Sequence, residues 1–190
     1  MQKSKVKQKF EKCWKSFVDE YPVLRKKEAF FYEGDIQLHL ACRLRKELQS
    51  DWIHQEYRIH PSEVDTGGRP LAKGIRADIV IHPEDSEDPY LIVEIKWWSL
   101  YGSYKEDPKR YEQWLVRHKK ICGDDITARA RNYYMRNFKY FSKYVEKTGA
   151  YGYLCIIDEW HENIETYLKH FLKTPRKFKI FAKYFNYHTF

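Results

Sequence analysis

Long apolar runs are missing from this chain. No stretch approaches the ~18 consecutive apolar residues that cross a bilayer, so no membrane partner is expected. The opening MQKSKVKQKF is basic but has no apolar segment behind it, which argues against a secretory signal and for a cytoplasmic protein. Cysteine is sparse. Cys13, Cys42, Cys122 and Cys155 are scattered and never spaced as CxxC, so neither a zinc site nor a disulfide framework is suggested. Acidic residues are outnumbered, 27 Asp and Glu against 35 Lys and Arg, leaving a net charge of +8. A surface of that sign attracts polyanions, and nucleic acid is the leading partner class. No internal repeat or low-complexity linker is visible, and 190 residues suit a single domain, 1–190, with a real hydrophobic core.

Aromatic side chains are abundant at 17% of the residues, which points to a packed chain rather than a disordered one despite the high charge. Val6, Phe10, Cys13, Trp14, Phe17 and Tyr21 recur at spacings of three and four, predicting an amphipathic helical extension over 1–22 that Pro22 should end. From Phe30 to Leu48 a second helix is marked by Ile36, Leu40, Leu44 and Leu48, with Phe31, Leu38, Ala41 and Cys42 broadening its buried face. The pattern then shifts toward a period of two in WIHQEYRIH, 52–60, and IRADIVIH, 75–82, separated by the turn-rich TGGRPLAKG. The polar loop PEDSEDP leads into YLIVEIKWW, 90–98.

Further on, a helix is expected from Pro108 to Lys119 and a longer one over 124–149, stopped by Gly149. GYLCIID, 152–158, reads as a buried strand. Residues 159–190 read as C-terminal helices, one through Trp160, Ile164, Leu168 and Phe171, the last through Phe178, Phe181, Ala182 and Phe185. The order implies an α/β fold of mixed α+β type, with a central sheet of about four strands flanked by helices.

YLIVEIKWW poses the chemical question, because it reads as a strand buried on both faces yet carries Glu94 and Lys96. Alternation puts Ile92, Glu94 and Lys96 on one face, and in IRADIVIH it groups Asp78 with Val80 and His82. A hairpin symmetric about Ser86 would set Val80 against Ile92 and Asp78 against Glu94, with Cβ atoms about 4.5–5.5 Å apart. Two carboxylates so close repel unless a cation sits between them. Mg2+ answers that need, since it takes hard oxygen ligands and leaves room for a substrate phosphate oxygen. Lys96, one pleat from Glu94, is placed to position or activate water and to offset charge building on phosphorus.

Asp78, then fifteen residues, then Glu94-Ile95-Lys96 resembles the PD-(D/E)xK nuclease superfamily, whose motif lies at the end of one strand and within the next. Glu33, opening EGDIQLHLACRLRKEL, resembles the helix glutamate many members add, and the likeness extends to Asp158. Ala77 stands where the superfamily's proline would be. The resemblance implies a restriction-endonuclease-like fold and a Mg2+-dependent nuclease, with Mn2+ as a substitute metal. It further implies that Asp78, Glu94 and Glu33 hold the metal and that Lys96 is the catalytic lysine. DNA is the expected substrate, with RNA and a homodimer left open.

For nucleic-acid contact the candidates are Lys73 and Arg76 near the motif and Arg129, Arg131, Arg136 and Lys139 on the long helix, where Tyr133, Tyr134, Tyr140 and Tyr144 could stack on bases. Each has a plainer reading. Glu94 and Lys96 could be a salt bridge, Glu33 could serve only the helix dipole, and Glu56 reads as an edge charge rather than a ligand. His54, His60, His82, His118 and His161 lack metal-pair spacing. A non-catalytic nucleic-acid-binding module of the same fold is the alternative, and a carboxylate-pair glycosidase is disfavoured by Lys96 and the basic charge.

Overall fold

A computed structural model describes residues 2–27, 33–50, 52–59, 75–98, 138–139, 141–159, 164–171 and 177–185. The helix expected at 108–119, residues 124–137 of the longer helix, and the candidates Lys73, Arg129, Arg131 and Arg136 lie outside them.

Helix α1, Lys3–Lys26, buries the stripe read from its sequence: Val6, Phe10, Cys13, Trp14, Phe17 and Tyr21. It does not stop at Pro22. A helix-interior proline costs roughly 3 kcal/mol through its missing N–H and its clash with the preceding turn. Here the extra turn carries Arg25 into a buried ion pair with Glu159, an anchor that local sequence does not show. Helix α2, Glu33–Leu48, buries Ile36, Leu40, Ala41, Leu44 and Leu48 as expected. Leu38 and Cys42 instead face outward, and Gln37 turns inward.

The sheet has five strands rather than four: β1 Ile53–Ile59, β2 Ile75–Ile81, β3 Leu91–Trp98, β4 Tyr151–Asp158 and β5 Phe178–Tyr184, in that spatial order. The β1–β2 and β2–β3 pairs are antiparallel, while β3–β4 and β4–β5 are parallel. The sheet is therefore mixed. The additional strand replaces the expected last helix. In FKIFAKY the residues Phe178, Phe181, Ala182 and Phe185 do fall at helical spacing, but Ile180, Ala182 and Tyr184 pack with one core cluster and Phe181 and Phe185 with the other. A seven-residue segment with apolar groups on both sides suits either structure, and pairing along β4 decides for the strand.

Each face of the sheet carries its own core. On one, α1 and α2 pack over Ile79, Ile81, Leu91, Val93, Ile95, Tyr153, Cys155 and Ile157. On the other, a helical segment at 141–148 and helix α3, Ile164–Phe171, contribute Phe141, Tyr144, Val145, Ile164 and Leu168 against Val80, Ile92, Leu154 and Ile156. The 141–148 segment ends at Gly149 as expected, with φ +64°. No described helix is long and apolar enough to cross a membrane.

Candidate active site

Strands β2 and β3 begin in the register expected of the hairpin, with Ile81 opposite Leu91, Val80 opposite Ile92 and Ile79 opposite Val93. Then they part. Continuing that register would set Ala77 against Ile95, but the Ile95 N–H donates instead to Asp78 Oδ2. Two residues on, the Trp97 N–H donates to Glu33 Oε2 at 2.9 Å. The backbone groups freed by the parting are thus taken up by two carboxylates, one from β2 and one from the first turn of α2.

Lys96 lies between the acids. Its ammonium is 2.6 Å from Glu94 Oε1, 3.2 Å from Glu33 Oε1 and 3.9 Å from Asp78 Oδ2, and it donates to the Ile95 carbonyl at 2.6 Å. Asp78, Glu94 and Lys96 are each only 5–6% exposed. Glu33 is the most open of the four, its side chain 32% exposed. All four residues named from the motif therefore converge.

The electrostatics of the cluster are unbalanced, with three carboxylates facing one ammonium. Burial pushes the Asp78 carboxyl up to about 7, against the pull of Lys96 and the Ile95 N–H. Burial, with the neighbouring Asp78 charge, raises Glu94 well above the usual carboxylate range. Desolvation alone would lower Lys96, but the charges of Glu94, Asp78 and Glu33 outweigh it and drive its affinity for the proton upward. Glu94 Oε2 is buried and has no hydrogen-bond partner among the described residues. An oxygen left so costs roughly 1–3 kcal/mol.

Gln37 was missed in the sequence. It sits one turn after Glu33 on α2, is buried, and donates from Nε2 to Asp78 Oδ1 at 2.6 Å. The signal was the i, i+4 spacing of Glu33 and Gln37, which puts both on one helix face. Next to the site, and also missed, Tyr21, Arg25 and Glu159 form a buried network with Trp97. The Trp97 indole N–H donates to Tyr21 Oη at 2.8 Å, and Tyr21 donates to Glu159 Oε1 at 2.6 Å.

The other candidates fall differently. Arg76 is exposed on β2 and 3.5 Å from Glu56, whose own side chain is half exposed, so Glu56 is an edge charge. Lys139 is exposed and has no hydrogen bond or ion pair with the four residues of the cluster, so the structure leaves it a surface charge. Among the described residues no three His, Cys, Asp or Glu side chains are grouped as a ready metal cage; the three acids instead each contact Lys96. A groove of about 630 Å³ along β5, lined in part by Trp14, Val18, Leu168 and Phe181, includes none of the four. Comparison with protein-family models, curated proteins and solved structures finds no match for this chain.

Proposed function

We propose that this protein is a Mg2+-dependent nuclease that hydrolyses DNA phosphodiester bonds, with Asp78, Glu94 and Glu33 as metal ligands, Lys96 as the catalytic lysine, and Mn2+ able to substitute. The observation that carries this reading is the convergence of three carboxylates, from two strands and a helix, on a site with one cation too few. The unpartnered Glu94 Oε2 and the raised Asp78 carboxyl are what an added divalent cation would relieve, and an all-oxygen donor set suits Mg2+. When bound, the cation would polarise the phosphoryl group and acidify water.

The chain's own groups then have distinct tasks. Lys96 holds its proton tightly, so it acts as a fixed positive charge beside the phosphoryl oxygens rather than as a base. Asp78 is fixed through both oxygens, by Gln37 and by the Ile95 N–H. Glu33, bound to both the Lys96 side chain and the Trp97 backbone, ties α2 to β3. A restriction-endonuclease-like arrangement and a DNA partner belong to this same proposal.

One observation favours the alternative of a nucleic-acid-binding module that does not cut: Lys96 already ion-pairs with all three acids. Incubation with plasmid, linear, single-stranded and branched DNA, and with RNA, with and without Mg2+ or Mn2+, separates the two. Metal-dependent nicking that is lost on Asp78→Ala, Glu94→Ala and Lys96→Ala supports the nuclease. Salt-sensitive binding that ignores EDTA, with no cutting of any form, supports the module.

A further inference from the structure

Across the β1–β2 ladder Arg58 stands directly opposite Arg76. Opposed residues on one face bring their Cβ atoms to about 4.5–5.5 Å, and like charges so placed destabilise the pair. Among the described residues the only ion-pair partner of either arginine is Glu56, 3.5 Å from Arg76, and Arg58 has none. Both arginines are exposed. Their place is also particular, because Arg76 precedes Asp78 by two residues on the same strand face, about 6.8 Å along it. The ladder is interrupted at that point: one register holds on both sides, through Gln55–Ile79 and Tyr57–Ala77, but Glu56 and Asp78 between them are not paired, and Glu56 has φ +50°. A non-glycine residue held there stores strain of the kind found at functional sites.

Two exposed arginines on directly opposed residues, one of them without an ion pair among the described residues, can present a fork to a phosphate, which arginine binds through paired N–H groups. We infer that Arg58 and Arg76 clasp a backbone phosphate of the nucleic acid beside the phosphodiester presented to Asp78 and Glu94. This rests on the proposed nuclease reading for its second half only, since the clasp itself requires a nucleic-acid backbone and no cutting. It positions the strand and leaves the chemistry to the buried acids.

The test is binding of a short labelled DNA duplex to the full chain in EDTA over a range of salt, for the parent protein, Arg58→Gln, Arg76→Gln, the double variant, and Lys5→Gln as an exposed cation on α1. Each arginine lost should lower the slope of log affinity against log salt by about 0.9, and Arg58→Lys should restore most of it. Unchanged melting temperatures exclude unfolding as the cause. In Mg2+ the double variant should raise KM while leaving kcat nearly unchanged. A double variant with the parent's slope, an equal loss from Lys5→Gln, or a parent chain that binds no DNA would each overturn the clasp. If the slopes fall as expected but no metal supports cutting, the clasp stands and the nuclease reading fails. If DNA is cut and the slopes do not move, the reverse holds.

Discussion

Two buried ionic clusters lie at neighbouring strand ends, and they are built on opposite principles. Arg25 and Glu159 pair directly, cation to anion: Nε is 2.8 Å from Oε1, the side chains are 4% and 0% exposed, Tyr21 supplies a further donor, and the guanidinium lies 5.0 Å from the centre of the Trp97 ring. Around Lys96, by contrast, three acids share one ammonium and an oxygen of Glu94 is left over. A closed pair fastens α1 to the end of β4. An open one is stable only by keeping protons on its acids or by accepting another cation. The difference separates a paired anchor from a charge-excess cluster even though Asp78, Glu94 and Lys96 are nearly as hidden from water as Arg25 and Glu159.

The contrast can be broken most forcefully by mutation of the open cluster. Asp78→Ala, Glu94→Ala or Lys96→Ala should reduce Mg2+-dependent plasmid nicking by at least ~10²-fold. Circular dichroism should show the Asp78 and Glu94 variants folded. In the closed cluster the loss is in stability instead: Arg25→Ala should cost about 3–5 kcal/mol in urea unfolding, because it strands the Glu159 carboxylate. Glu94→Gln should do the opposite and leave the metal-free protein as stable as the parent or more so, since it removes an uncompensated charge. Equal destabilisation by these two substitutions would erase the distinction.

A pH series sharpens it further. Because the folded Asp78 carboxyl is raised from 3.8 to about 7, the native state binds more protons than the unfolded chain between those values. Stability in EDTA should therefore fall as pH rises from about 4 to 7. Asp78→Asn should flatten that fall, and Mg2+ should raise the melting temperature more at pH 8 than at pH 5. The smallest effect is expected at Gln37, where Gln37→Ala removes one donor from Asp78 and should cost roughly 1–2 kcal/mol of stability while weakening metal-dependent cutting.

Much of this was open to reading in the chain itself. Alternation in IRADIVIH and YLIVEIKWW, with a loop of suitable length between, placed Val80 against Ile92; the direct opposition expected of Asp78 and Glu94 is not in the ladder, which ends at Ile79–Val93, and it is Lys96 that contacts both acids. Glu33 was legible only through the resemblance, because its place in the first turn of α2 reads equally as a charge serving the helix dipole. Gln37 shares a helix face with Glu33 by spacing, but that signal is weak, since a glutamine on an amphipathic helix reads as surface until the partner across the core is known. The continuation of α1 past Pro22 was hidden for the same reason, its anchor Glu159 lying 134 residues away. FKIFAKY failed differently, because its apolar residues fit both a helix and a doubly covered strand.

What the order of residues determined alone was periodicity, and with it the buried stripe of α1 and most of that of α2, and the existence of the first four strands, because side-chain direction repeats every 3.6 or 2 residues whatever lies opposite. What only the tertiary structure decided was where β2 and β3 part, which carboxylates fill the gap, and how many cations they find there. Those depend on groups distant in the chain meeting in a space that excludes water, where an unmatched charge can be neither solvated nor ignored.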